Sequence, residues 1–217
     1  MPVKKAVEEI EVPKEIKRYK LRVLFTEQSL GSSPCDPEVY AKFIATKARD
    51  EKIDTGEEVA TIPVEQREQT GWTVFHKDEK GLFFFDYKVR GFLKEASKAI
   101  TGKGITACHS KIDKWVFVHP RRLPLVRDGE VIAKPDGVLE RPIRMMTMQG
   151  PRVALKRSDF VMEGTAFESI ISVLPLGQHE ITEKVLCSWL DYGQFSGFGD
   201  WRTGSYGRFT YTLEPME

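Results

Sequence analysis

Apolar and polar positions alternate near the start of the chain: in YKLRVLFTEQ, Leu21, Val23 and Phe25 are spaced by Lys20, Arg22 and Leu24. A period of two with one strongly apolar side predicts a strand that covers a core with a single face. The period changes in YKVRGFLKEASKAI, where Val89, Phe92, Leu93, Ala96 and Ile100 recur at helical spacing. Gly102 and Gly104 then stop that helix. A second helix is predicted in HEITEKVLCSWLDYG, with Ile181, Val185, Leu186 and Leu190 facing inward and Thr182 or Glu180 near its start. Thr210 to Leu213 read as a closing strand.

The intervening segments read mostly as strands. GWTVFHKDEKGLFFFDY predicts a hairpin with arms at Thr73 to Phe75 and Leu82 to Phe85 and a turn at KDEK. KWVFVHPRRLPLV is strand-like up to Pro120. Asp128-Gly129 sits between the apolar pairs Leu125, Val126 and Val131, Ile132, the short-range signature of another hairpin. RPIRMMTM, RVALKRSDFV and TAFESIISVLPL supply more strand material. Helices and strands do not alternate regularly, so the expected class is α+β: an antiparallel sheet with two helices on one face.

Residues 1–17 are charged and broken by Pro2 and Pro13, which predicts a mobile arm whose Val7, Ile10 and Val12 are available to dock on a neighbour. Residues 18–217 are expected to form one domain, with an insertion at about 35–80 that is polar from Arg49 to Gln69. Before it, LGSSPCDP is a turn in which Asp36 or Ser33 caps a helix in PEVYAKFIATKA.

Composition narrows the function. Thirty-three basic residues against 32 acidic ones argue against a protein that coats nucleic acid non-specifically, and leave room only for a local basic groove. Cys35, Cys108 and Cys187 lack CxxC spacing and read as reduced thiols. With no long apolar run and no apolar leader, the expectation is a cytoplasmic protein without a membrane partner. Cys108 and His109 are adjacent, which is poor spacing for a metal site, so no metal and no cofactor are expected.

The densest chemistry is in SGFGDWRTGSYGRFTYTLEP. Gly197, Gly199, Gly204 and Gly207 alternate with Arg202 and Arg208 and with the rings of Phe198, Trp201, Tyr206 and Phe209. Glycines allow close backbone approach, arginines offer forked donors to phosphate, and rings stack on bases. The plainer reading is a bulged hairpin with Trp201 packed on the sheet. Lys88, Arg90 and Lys94 lie at the start of the first helix, where free N–H groups favour phosphate; Arg90 and Lys94 share a face, and a solvated helix face is the alternative. Arg121 and Arg122 follow Pro120 at a strand end. Arg141, Arg144, Arg152, Lys156 and Arg157 alternate through strand-like sequence and predict a basic stripe on one sheet face. His109 and His119 are the candidates for a general base, neither with an evident partner.

Three segments in this order resemble the RAMP superfamily, the ferredoxin-like RNA-binding subunits of CRISPR effector complexes. YKLRVLFTEQSLGSS looks like the family's first strand. FFFDYKVRGFLKEA is similar to its basic turn into the first helix, and FSGFGDWRTGSYGRF to its glycine-rich loop before the last strand. The resemblance implies a ferredoxin-like or RRM-like sheet. It further implies single-stranded RNA or guide RNA as ligand and other protein subunits, or further copies of the chain, as partners. The chain departs from the family in the long acidic stretch between strand one and helix one. Some family members carry a cleaving Asp there, and Asp36, Asp50 and Asp54 are available without a motif to choose among them. QGPRVALKRSD also looks like stretches of uncharacterised phage-encoded proteins. The expected function is non-catalytic RNA binding in CRISPR-type antiviral defence or a phage counterpart. A protein-interaction module on the same fold and a metal-independent ribonuclease are the alternatives.

Overall fold

The computed structural model describes residues 15–36, 38–39, 71–100, 108–147 and 150–216, without the side chains of 145–147 and 152. Its central sheet is built from β1 (Lys17–Phe25), β7 (Val116–His119), β13 (Ala166–Val173) and β14 (Phe209–Met216). Across this sheet the order is β14, β1, β13, β7, and every neighbouring pair is antiparallel. The short hairpin of β9 (Val126–Arg127) and β10 (Glu130–Val131) extends it from β13. Asp128 and Gly129 both take positive φ, 53° and 85°, in the expected hairpin turn.

β1 shows why this sheet has two faces: Tyr19, Leu21, Val23 and Phe25 are buried, while Lys20, Arg22 and Leu24 are exposed. The buried face meets two long helices. α1 (Asp86–Ile100) turns Val89, Phe92, Leu93 and Ala96 inward. α3 (Glu183–Ser196) turns Leu186, Trp189, Leu190 and Gly193 inward, and its cap is Thr182, whose hydroxyl accepts from the Val185 N–H at 3.4 Å. Gly193 is a close-approach site: an added Cβ would strike the rings of Phe92 and Phe209. The fold is therefore α+β with an antiparallel central sheet, as the irregular order of helices and strands predicted.

Two smaller sheets flank it. β5 (His76–Lys77), β6 (Leu82–Phe85) and β8 (Arg122–Pro124) form one, around the predicted KDEK turn. The other contains the long hairpin of β11 (Gly137–Thr147) and β12 (Gly150–Val161), with β2 (Ser29–Leu30), β3 (Ser33–Pro34) and β4 (Trp72–Val74). Here the reading needs correction, because β4 does not pair with the Leu82–Phe85 arm. It pairs with β3 and, in parallel, with β12. That partner lies more than eighty residues away, and no local pattern encodes it.

A second correction is α2 (Cys108–Trp115), where the reading gave strand from Lys114 onward. Cys108 and Ile112 are buried at i and i+4 on a helix of two turns. The predicted stop glycines, the helix after Pro37 beyond Val39, Asp50 and Asp54 all lie outside the described residues. Asp36 does cap: its Oδ1 accepts from the N–H groups of Glu38 and Val39 at 2.9 and 3.3 Å. Ser33 is engaged elsewhere, with His76 Nε2 at 2.8 Å.

Candidate nucleic-acid interface

The glycine-rich segment leaves the end of α3 and runs to the edge strand β14. Gly197 ends the helix at φ 78°, and its N–H donates to the Gly193 carbonyl at 2.8 Å. The next residue, Phe198, is the anchor. Its ring lies 5.2 Å from Phe84, 5.3 Å from Phe167, 5.9 Å from Phe92 and 6.4 Å from Phe25, centroid to centroid. Phe198 N–H donates to the Gly207 carbonyl, and Gly207 N–H donates to the Gln28 carbonyl, both at 2.8 Å. Gly207 has φ 70°, and a Cβ there would overlap the Phe198 carbonyl. The loop is thus pinned at both ends to the core and to residue 28.

Between the pins, Trp201 and Ser205 hold left-handed backbone at φ 46° and 70°. For non-glycine residues this geometry costs on the order of 1–2 kcal/mol each. Three contacts hold Trp201 in place. The Tyr206 ring stacks on it at 5.1 Å and 20°. The Arg141 guanidinium lies 3.9 Å from its ring centroid. Gly204 packs under it, with an ideal Cβ 2.8 Å from the indole. Gly199 passes close to the Leu30 carbonyl, where a Cβ would approach to 2.9 Å.

Beside the loop is an open cavity of about 460 Å³, lined by Glu95, Tyr192, Phe195, Asp200, Trp201, Arg202 and Arg208 among others. Arg208 is exposed at its rim. Arg202 is not free: it pairs with Glu95 of α1 at 2.6 Å. Asp200 is held by Lys156 and by Arg141 Nη2, the latter at 3.2 Å. The most accessible ring is Phe195, 77% exposed, which sequence reasoning passed over. The signal was there: 195 lies across the helix from the stripe of 186, 189, 190 and 193, so its ring cannot be core.

Lys88 is brought near the loop through the segment after β1. Its Nζ donates to Ser32 Oγ at 3.0 Å, two residues from the Leu30 carbonyl that Gly199 touches. Arg90 is half-buried on α1. Lys94 is tied to Asp113 of α2, so it braces two helices. Arg122 pairs with Asp78 at 3.2 Å and lies over Phe83, and Arg121 lies 5.2 Å over Phe85. These two therefore join the β5–β6–β8 sheet.

The expected basic stripe is split. Arg141 and Lys156 are cross-strand partners on one face of the β11–β12 hairpin, and both turn to Asp200. Arg157 is on the other face, paired to Glu140 at 2.6 Å and lying 5.9 Å over Trp72. Arg144 is exposed on that same face. Register explains this: positions 156 and 157 point opposite ways. Arg141 is the buried member, its side chain 7% exposed and its guanidinium less basic than usual through burial, with Asp200 opposing that shift.

Neither His109 nor His119 lines the cavity. No group of His, Cys, Asp and Glu able to hold a metal occurs among the described residues, and no described helix is long and apolar enough to cross a membrane.

The structure defines an α+β protein with antiparallel sheets and a glycine-rich connection beside an arginine- and ring-lined cavity. No protein-family model matches the chain, and no curated protein matches it. It is similar to a chain of a type III-B Cmr-beta complex bound to cognate target RNA, at 9% identity and a TM-score of 0.48. That similarity covers 94% of this chain and 61% of the other, so the chain spans about three fifths of that length. It is also similar to a chain of a type IV-B CRISPR complex, at 9% identity and a TM-score of 0.40, over 90% of each.

Proposed function

We propose that this chain is a non-catalytic RNA-binding protein with a ferredoxin-like core, a subunit of a cytoplasmic ribonucleoprotein of CRISPR-type defence or a phage counterpart. The strand order fourth, first, third, second around two crossover helices supports the ferredoxin-like reading. The observation that carries the RNA reading is the cavity beside the glycine-rich loop, where the exposed Phe195 ring and the exposed Arg208 share one rim. A base stacks on Phe195 while its phosphate meets Arg208, the two contacts that single-stranded recognition uses most. Purified protein should carry nucleic acid, and a labelled single-stranded RNA should raise fluorescence polarisation with an affinity that falls steeply with salt. Bare protein absorbance together with no polarisation change at low salt would exclude the reading.

A protein-interaction module is the second reading, and one feature favours it. Val153 is 74% exposed and Leu155 is also exposed, side by side with Arg144 and Pro142 on the β11–β12 hairpin. An apolar strip of this kind suits a protein partner. In a ribonucleoprotein subunit both surfaces would be used.

A further inference from the structure

The central sheet has an outer face that no described helix covers. On it, the strand registers set residues from three strands side by side. Phe117 on β7 is opposite Ser172 on β13, and Ser172 is opposite Arg18 on β1. The next row is His119, Ile170 and Lys20. Each row therefore runs ring, central residue, cation, over about 10 Å at ordinary strand spacing. The first row and the ring of the second share a groove of about 430 Å³, floored by Ile170, Ser172 and Leu174.

Phe117 is 37% exposed, and His119 is exposed too. Arg18 is exposed and has no ion-pair partner among the described residues, whereas Lys20 and Arg22 share Glu168, at 3.0 and 4.0 Å. Glu214 of β14 is opposite Lys20. The carboxylates thus offset the cations of the second row and beyond, and the uncompensated positive charge is Arg18, at the β1 end of the Phe117 row.

We propose that this face is a second contact surface for single-stranded RNA, apart from the cavity at the glycine-rich loop. Bases stack on Phe117 and His119, the riboses cross Ser172 and Ile170, and Arg18 meets a phosphate. The row order matches the order of base, sugar and phosphate in one nucleotide. The two rings are about 6.7 Å apart along β7. A splayed single strand can follow that step, while bases stacked at about 3.4 Å in a duplex cannot. An acidic peptide would find Arg18 but would leave the two flat rings unused.

The test is crosslinking of the full chain to a short thiouridine-containing single-stranded RNA, with the crosslinked peptides mapped by mass spectrometry. It is paired with polarisation titrations of Phe117→Ala/His119→Ala and Arg18→Glu. The expected result is a crosslink within residues 116–119 and a loss of affinity on the order of ten-fold for the ring variant, with an unchanged melt. If the ring variant melts early, the crosslink map on the unaltered chain decides. Crosslinks confined to the glycine-rich loop, with both variants binding normally, would overturn this surface and leave the loop reading standing. A crosslink on β7 with no effect of Phe195→Ala would do the reverse. Variants that change the sedimentation of the protein and not its RNA affinity would assign the face to another copy of the chain, overturning the proposal, as would a chain that binds no RNA.

Discussion

Arg141 lies over the indole of Trp201, 3.9 Å from the ring centroid, and through that contact the β11–β12 hairpin holds the glycine-rich loop in its left-handed turn. Asp200 completes the latch by accepting from Arg141 and Lys156. Removing the carboxylate leaves a buried guanidinium without its counter-charge, a loss of about 1–3 kcal/mol for a site still partly open to water. Asp200→Asn should therefore lower the melting temperature by several degrees. Adding Arg141→Met should restore much of it, because the uncompensated charge is then gone. An unchanged melt in the single variant would show that the latch carries no stability.

Two glycines should respond in opposite directions. Gly207→Val should prevent folding or cost more than about 3 kcal/mol, since the residue has φ 70° and its Cβ would overlap the Phe198 carbonyl. Gly91 is in the exposed middle of α1 with open space around it. Gly91→Ala should stabilise by roughly 0.5–1 kcal/mol, the difference in helix propensity. Chemical denaturation of both variants checks the pair.

If the loop binds RNA as proposed, Glu95 competes with the RNA for Arg202, because the two side chains already form an ion pair. The ion pair is exposed, so breaking it costs at most about 1 kcal/mol. Glu95→Gln should leave the melt nearly unchanged and tighten RNA binding, while Arg202→Ala should weaken it. Equal affinity in both variants would assign Arg202 to scaffold. On α1, Arg90→Glu alone is the clean probe, because Lys94→Glu would set a carboxylate against Asp113 and destabilise the α1–α2 contact.

Acid should loosen the β9–β11 region. Arg127 donates to both oxygens of Asp136 and holds its carboxyl below the ordinary range; burial opposes this and the Met162 N–H adds to it. A depressed carboxylate contributes stability above its unfolded pKa, near 3.9, and that contribution is lost as pH falls through the lower folded value. Asp136→Asn should therefore be less stable than the unaltered chain at neutral pH, with the gap closing in acid. A constant gap across pH would contradict the pairing.

The sheet and both long helices were legible because each repeats one period over a full element, as Leu21, Val23 and Phe25 do in β1. α2 was not, since eight residues with two buried side chains carry little periodicity. The site was half legible. The loop glycines and Arg208 stand where their spacing suggested, and Phe198 serves as an anchor because nearby strands and α1 supply the rings around it. The fates of Arg202, Lys94, Arg121 and Arg122 depended on acids and rings brought in by folding, from Glu95, Asp113, Phe85 and Asp78. The supposed stripe through residues 141–157 failed for a simpler reason, that a change of parity within one strand changes its face.

The central claim is that Phe195 and Arg208 bind single-stranded RNA together, and a polarisation titration of the unaltered chain beside Phe195→Ala/Arg208→Ala tests it most directly. Both side chains are at the surface, so the double variant should melt within a few degrees of the parent. Its RNA affinity should fall on the order of ten-fold or more, with a shallower dependence on salt, because one stacking contact and one phosphate contact are gone. Equal affinity and equal salt slope in parent and variant would contradict the account.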